Sequence, residues 1–499
     1  MPEHQISIKA AENNLLSCAA FLTENIKSSD GYGEAMKEIV PRYLEKGEVD
    51  LAAQFADAVD DPFVRDRLLM LTAEKCAAID DDEYAFQLVE SIEDYGLQAQ
   101  ARERIALRKA AQGEFEKARS IADEIDHPDS IIAGIAIQQG SDGDTDTALK
   151  TVGEIGFPGA AVHAVTFIAT ARLEAGENEA AAGLLEKASS TADEIEHSEE
   201  KIRALSDIGN LFIEAKRNDR AIETFDKARS NADALDNIHR DAFLAAVSLG
   251  FLRAGSIDLA DRTLDSIADK TQIATVLLGF SKEYWRKDEK PEAFEALEES
   301  YAILKSQRES ETRDSREKFA LFTSIAAQFA GFEKGERAIG IALETVDKNE
   351  QMTALGQIAQ ILTIQNNDQM ASQAIRAIKE DASRMFALIG VSDAAGKNNE
   401  KDKAVTFLEE AAALAETVPQ LASRTSAYIA IARRFYNFGD AERSREISLI
   451  NLETISTIRD KSSRAAAVAN LAEFYDEVKF ELTDREKEIL GEMIRKAMF

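Results

Sequence analysis

Apolar and polar positions along this chain repeat with two nested periods. In short windows the apolar residues recur at helical spacing, as in Leu205, Ile208 and Phe212 or Leu244, Val247 and Phe251, so each set lies on one face of a helix. Over longer stretches a small residue recurs as Ala52, Ala85, Ala118, Ala148, Ala181, Ala221, Ala260, Ala293, Ala338, Ala371, Ala404 and Ser444. The intervals between these anchors are 33, 33, 30, 33, 40, 39, 33, 45, 33, 33 and 40 residues. Twelve residues before each anchor stand Val40, Ala73, Ala106, Ala136, Ala169, Gly209, Ser248, Ser281, Ala326, Ala359, Ser392 and Ala432, eleven of them small. Between the two positions lies a turn signal such as Gly47, Gly113, Gly176, Gly255, Gly439, "SDGD" or "KRND". Pro62, Pro128 and Pro158 each fall ten residues after an anchor, where a second helix has to stop.

The pattern predicts a helical hairpin repeated along the chain. The small residue of each helix lets its partner approach closely. One hairpin cannot bury its own apolar face, so stacking in register supplies the core. An interval of 40 keeps the buried face and lengthens a helix by two turns, about 10 Å. The 45-residue interval holds "KSQRESETRDSREK", residues 305 to 318, expected to be a solvated helix extension and loop. At the ends, Ala19 lies 33 residues before Ala52 and Ala472 continues the small-residue register. Residues 1–31 are therefore expected to be an N-terminal capping helix or degraded hairpin, 32–460 an array of about twelve hairpins, and 461–499 a C-terminal capping hairpin. "TDRE", Thr483 to Glu486, has the spacing of a capping box for a last helix. That helix presents Ile489, Met493, Ile494 and Met498 and is expected to cover the open end of the array, with a homodimer through it as the alternative.

A small residue, seven further to a glycine, five more to an alanine and an occasional closing proline resemble the tetratricopeptide repeat family over residues 32 to 460. The units around Gly176, Lys216 and Asn399 fit best, adding Ala188, Ala228 and Ala411 seven residues after the anchor. The family's early tryptophan is replaced by aliphatics such as Leu69, Leu205 and Leu355, and several units run 33 residues. The resemblance is thus to a divergent array, with a HEAT-type solenoid as the weaker alternative. It implies an all-α fold, a right-handed α-solenoid of about 13 stacked helical hairpins.

Composition narrows the function. Hydrophobic residues make up 45% of the 499, with only 7 prolines, enough apolar surface for a core and little to interrupt helices. A formal charge of −32 opposes nucleic-acid phosphates and anionic lipid and favours a basic partner. Cys18 and Cys76 are too few for a disulfide framework or zinc site. No run approaches the length of a membrane span and the first residues lack signal-peptide character, so a cytoplasmic protein is expected.

Catalytic signatures are missing from the sequence. No two of His4, His127, His163, His197 and His239 lie three or four residues apart, so metal-ligand spacing is lacking. "SDGDTD", Ser141 to Asp146, starts like a calcium loop but has Thr147 and Gly153 where that loop needs glycine and glutamate. It reads as an acidic turn. Without a phosphate loop, nucleophile elbow or dinucleotide fingerprint, a non-enzyme with no cofactor and no metal is expected.

The resemblance implies that first helices line a concave, partner-binding face. Carried onto this chain, one unit's inward positions are Thr275, Leu278, Lys282, Trp285 and Arg286. Its neighbours offer Arg203 and Asn210, then Leu249, Leu252 and Arg253. The only tryptophan thus stands beside two cations, types favoured as interface anchors; the competing reading packs Trp285 between adjacent helices. Arg433 and Tyr436 form a second patch, and Ile364 with Ile389 an apolar stripe between the two that would take an amphipathic helix. The expected function is a protein-interaction scaffold binding a peptide or protein partner, with a basic segment or an amphipathic helix as the favoured ligands. The alternatives are a self-associating regulatory or assembly subunit and an accessory subunit of an enzyme complex.

Overall fold

The computed structural model describes residues 5–307 and 315–498; residues 308–314, half of the charge run, lie outside the described residues. Among the described residues the chain forms 28 α-helices, α1 to α28, and no strand. It divides into two compact units, one built from residues 1–102 and 333–499, the other from 103–332. From α3 (Ser29–Glu45) onward, odd-numbered helices are the first and even-numbered helices the second members of hairpins, ending with α27 (Lys461–Val478) and α28 (Asp484–Met498).

The small-residue register explains this packing. All twelve anchors are buried, eleven fully and Ala371 at 2% exposed. Their partners twelve residues earlier are buried as well. Phe225 shows how tight the fit is: Cβ atoms added at Gly209 and Gly250 would lie 2.7 and 2.5 Å from its ring. The long intervals are absorbed by the second helices, while the 30-residue interval reflects a shortened first helix, Asp129–Ser141, of 13 residues. Val49–Asp57, Asp82–Glu90, Phe115–Ala122 and Thr145–Val152 have 9, 9, 8 and 8 residues. Asn178–Ala192, Asn218–Asp233, Lys290–Ser306 and Lys401–Thr417, each followed by a long interval, have 15, 16, 17 and 17.

Each turn inside a hairpin carries one residue in the left-handed region, five positions before the anchor. It is glycine at 47, 113, 143, 176, 255 and 439, and Asp80, Lys216, Asp288, Glu333, Asn366 or Asn399 elsewhere. The residue after it donates back to a carbonyl five residues earlier, as Glu48 to Tyr43 at 3.0 Å and Arg217 to Phe212 at 2.8 Å, the bonding that closes a helix C-terminus of this kind. "SDGD" is one of these turns, with Asp144 capping the next helix through the Thr147 N–H. Joints between hairpins use a carboxylate that sequence reading missed. Asp66 accepts from the Glu93 and Asp94 N–H groups, Asp129 from Gly156 and Phe157, and Asp241 from Ala268 and Asp269, at 2.7 to 3.0 Å.

The last hairpin breaks the rule. Lys479 is left-handed, but five residues on stands Asp484, exposed where the others have a buried alanine or serine. A carboxylate there cannot enter a close helix crossing. Helix α28 instead packs against α1 (Ile8–Asn13), α2 (Leu15–Glu24) and α26 (Ala441–Ser456). The close partner of α27 is α2, from the other end of the sequence. Ala19, fully buried in α2, and Ala472, 3% exposed in α27, hold the two small positions. The chain ends thus build one composite hairpin. Next to it α27 also packs on α3, in the register of successive first helices. Arg42, two after Val40, reaches Glu473, one after Ala472, at 2.7 Å; Arg434, two after Ala432, reaches Asp393, one after Ser392, at 2.6 Å.

The capping box is formed: Thr483 N–H donates to Glu486 at 2.6 Å and Glu486 N–H to Thr483 Oγ1 at 3.3 Å. Ile489, Leu490, Met493 and Ile494 are buried within the chain, while Met498 is exposed. A homodimer through this helix would have to displace α1 and α2.

Three substitutions test the register and its turns. Ala221→Leu overfills a crossing and is expected to cost about 1–3 kcal/mol, whereas Leu at the exposed Ala246 changes stability by less than about 0.5 kcal/mol. Lys216→Gly relieves a left-handed side chain and is expected to gain about 0.5–1 kcal/mol. Urea denaturation of the three variants reads both effects.

Candidate functional site

Two regions hold the residues singled out from the sequence, one in each unit. In the 103–332 unit they lie on the first helices α13 (Ser198–Glu214), α15 (Arg240–Arg253) and α17 (Lys270–Arg286). The guanidinium of Arg203 lies over the Phe243 ring at 5.6 Å and 3.7 Å from Glu199. Asn210 donates its amide to the Ser206 carbonyl of its own helix at 3.0 Å. Leu249 packs over Gly279, where an added Cβ would meet it at 3.1 Å.

Arg253 and Arg286 converge on one carboxylate that sequence reading did not single out, Glu283. Arg253 Nε donates to Oε1 at 3.0 Å, and Arg286 Nε and Nη2 donate to Oε2 at 3.0 and 2.8 Å. Burial pushes the Glu283 carboxyl up, but the hydrogen bonds and charges of the two arginines outweigh it and hold the group below the usual carboxylate range. The arginine spacing was legible; that both are spent on Glu283, Arg253 across helices and Arg286 within α17, was not. Lys282 is exposed and has no ion-pair partner among the described residues.

Trp285 is half-buried in an aromatic cluster. Its ring stacks on Phe332 with centroids 4.1 Å apart, meets Phe294 edge-on at 5.8 Å, and carries Lys290 Nζ at 5.1 Å. Two of the inward positions carried over from the resemblance need correction. Leu278 is 5% exposed and Leu252 fully buried, so neither side chain is open to a partner.

The other region lies in the unit of residues 1–102 and 333–499. The apolar stripe expected there does not form, because Ile389 is buried at 4% exposure while Ile364 is exposed. What exists is a groove of about 700 Å³ between α25 (Leu421–Asn437) and α27. Six of its thirteen lining residues are alanine or serine, Ala422, Ser426 and Ala430 from α25 and Ser463, Ala466 and Ala467 from α27. Leu421, Ile429 and Ile458 add apolar surface, and Arg433, Asn470 and Glu473 make one end polar. Arg433 donates to Glu477 at 2.8 Å and lies 5.6 Å from the Phe474 ring. Tyr436 sits edge-on to Phe480 at 5.8 Å, outside the groove walls. Asn470, Glu473 and the alanines of α27 were not singled out because residues 461–499 read as a cap. The signal that could have found them was Ala472, which keeps the array's register.

Among the described residues, no group of three His, Cys, Asp or Glu side chains is placed to hold a metal ion, and no helix is long and apolar enough to cross a membrane.

No protein-family model and no curated protein matches the chain. Solved structures give loose likenesses. Ton1535 from Thermococcus onnurineus NA1 is 18% identical, with 71% of this chain and 98% of that one covered and a TM-score of 0.26. The apo form of the quorum sensor NprR from B. thuringiensis is 13% identical, covers 72% and 100%, and scores 0.26. A structure of Naa15/Naa10 bound to HypK-THB is 13% identical, covers 98% and 84%, and scores 0.33. Similarity this low does not carry function from one chain to another.

The Glu283 tie has a pH signature. A carboxyl held below its unfolded range adds stability above that range and loses it as pH falls through the depressed folded value. Glu283→Gln is therefore expected to lower the urea midpoint at neutral pH, and its deficit against wild type is expected to shrink below about pH 4.5. A deficit constant from pH 7 to 3 contradicts the assignment.

Proposed function

We propose that this chain is a non-enzymatic interaction scaffold, a divergent tetratricopeptide-like array that binds a peptide or helical segment of a protein partner in the α25–α27 groove. The observation that carries this reading is the lining. Successive first helices present alanine and serine side by side, the same chemistry with which this chain packs its own helices at every crossing. Small side chains let a partner backbone come close, and a polar end with Arg433, Asn470 and Glu473 gives it direction. The net charge of −32 favours a partner with basic flanks, whose binding weakens as salt rises. The cluster around Lys282, Trp285 and Arg286 ranks second, since Trp285 is engaged with Phe332 and Arg286 with Glu283.

A helical peptide library panned on the immobilised protein tests the groove. Peptides enriched on wild type are expected to lose at least about tenfold in affinity on Ser426→Trp, which fills the groove from an exposed position, and to keep affinity on a Lys282, Trp285 and Arg286 triple-alanine variant. Peptides that bind the Ser426→Trp protein as well as wild type contradict the placement.

A further inference from the structure

Neighbouring hairpins in this chain are joined by the backbone itself, but the α27 junction with α2 and α3 is not. Its two sides lie more than 400 residues apart in sequence, and side-chain contacts hold them. Arg42 donates to Asn470 at 2.6 Å and to Glu473 at 2.7 Å. Lys46 pairs with Asp476 at 2.7 Å. Lys461 donates to the Asn25 carbonyl at 3.2 Å, as Arg240 reaches the Ser266 carbonyl at the end of its own hairpin.

Two solvent-open clefts of about 490 and 280 Å³ flank the junction, both bordered by Leu16, Lys46, Ala472 and Asp476. Arg42 Nε is buried there with no acceptor. Exposed ion pairs contribute little each, so the buried apolar packing of α2 on α27 carries this joint, which, unlike its neighbours, has no chain connection across it.

Its two faces are complementary in the ordinary register of the array, as the matched Arg42–Glu473 and Arg434–Asp393 pairs show. Nothing in that complementarity requires both faces to belong to one molecule. We infer that the junction is exchangeable, so that the α1–α3 end of one copy docks on α27 and α28 of a second copy and the reverse. Such a pair keeps every contact of the single chain and is a domain-swapped dimer. The intrachain form is favoured by an effective concentration on the order of millimolar, so the swapped pair is a minority that grows with protein concentration. This surface adjoins the α25–α27 groove proposed for a partner and shares Asn470 and Glu473 with it.

Crosslinking tests it on the full chain. Lys46→Cys and Asp476→Cys are made separately, mixed at equal amounts, and held with a short bismaleimide. The native thiols do not compete, because Cys18 and Cys76 are fully buried, and burial pushes them up to about 12 and about 11. The double variant is the control and is expected to link within one chain. The mixture is expected to yield a covalent species of twice 54.8 kDa, its fraction rising roughly tenfold for a tenfold rise in concentration. If the double variant links internally while the mixture gives no more dimer than either single variant alone, exchange is ruled out. If the double variant does not link, the junction itself is wrong.

Discussion

Everything in this chain depends on one close helix crossing, repeated. At all but one crossing, where Val40 stands, a small residue of the first helix faces a small residue of the second, and the larger apolar side chains around them interdigitate. The constraint is steric. Gly209 and Gly250 leave no room for even a methyl group beside the Phe225 ring, and the twelve anchors are almost wholly buried. Because the crossing fixes only two positions per hairpin, the rest of each helix is free to vary. That freedom lets second helices range from 8 to 17 residues while the register holds.

The same constraint decides what happens at the ends. Asp484 cannot take an anchor's place, so α28 leaves α27 without a second helix of its own. The position is filled by α2, whose Ala19 carries the anchor's phase from the opposite end of the sequence. A half-repeat at the start and a half-repeat at the finish make one whole hairpin. The terminal apolar faces that any helical array must cover are covered here by each other. Across that joint Arg42, Lys46 and Lys461 tie the two ends together, with solvent-open clefts beside them.

Much of this was legible in the sequence. Anchors, partners, turns and the capping box at Thr483 all follow from spacing, because a steric rule leaves a trace at fixed intervals. Ala19 and Ala472 were both visible in the register. That they belong to one hairpin was not, since periodicity says where a helix faces and nothing about which distant helix faces it. The candidate site was less legible for a related reason. Arg253 and Arg286 look like free cations on a binding face until Glu283 is seen between them. Trp285 looks like an anchor until Phe332 is found on its face. Long polar side chains choose partners across helices, and those choices carry no period. The groove between α25 and α27 was missed because nearly half of its lining is alanine and serine, types that stand out only when two helices place them side by side.

The composite hairpin makes one claim that no independent pair of caps would make: a change in the first twenty residues must be felt near residue 470. Hydrogen exchange on the full chain carrying Ala19→Glu measures this directly, since a carboxylate in that crossing has no room and no partner. The account predicts that amides of α27 lose protection together with those of α2, while α13 in the other unit keeps its own. Protection lost in α1 to α3 alone, with α27 unchanged, would contradict it.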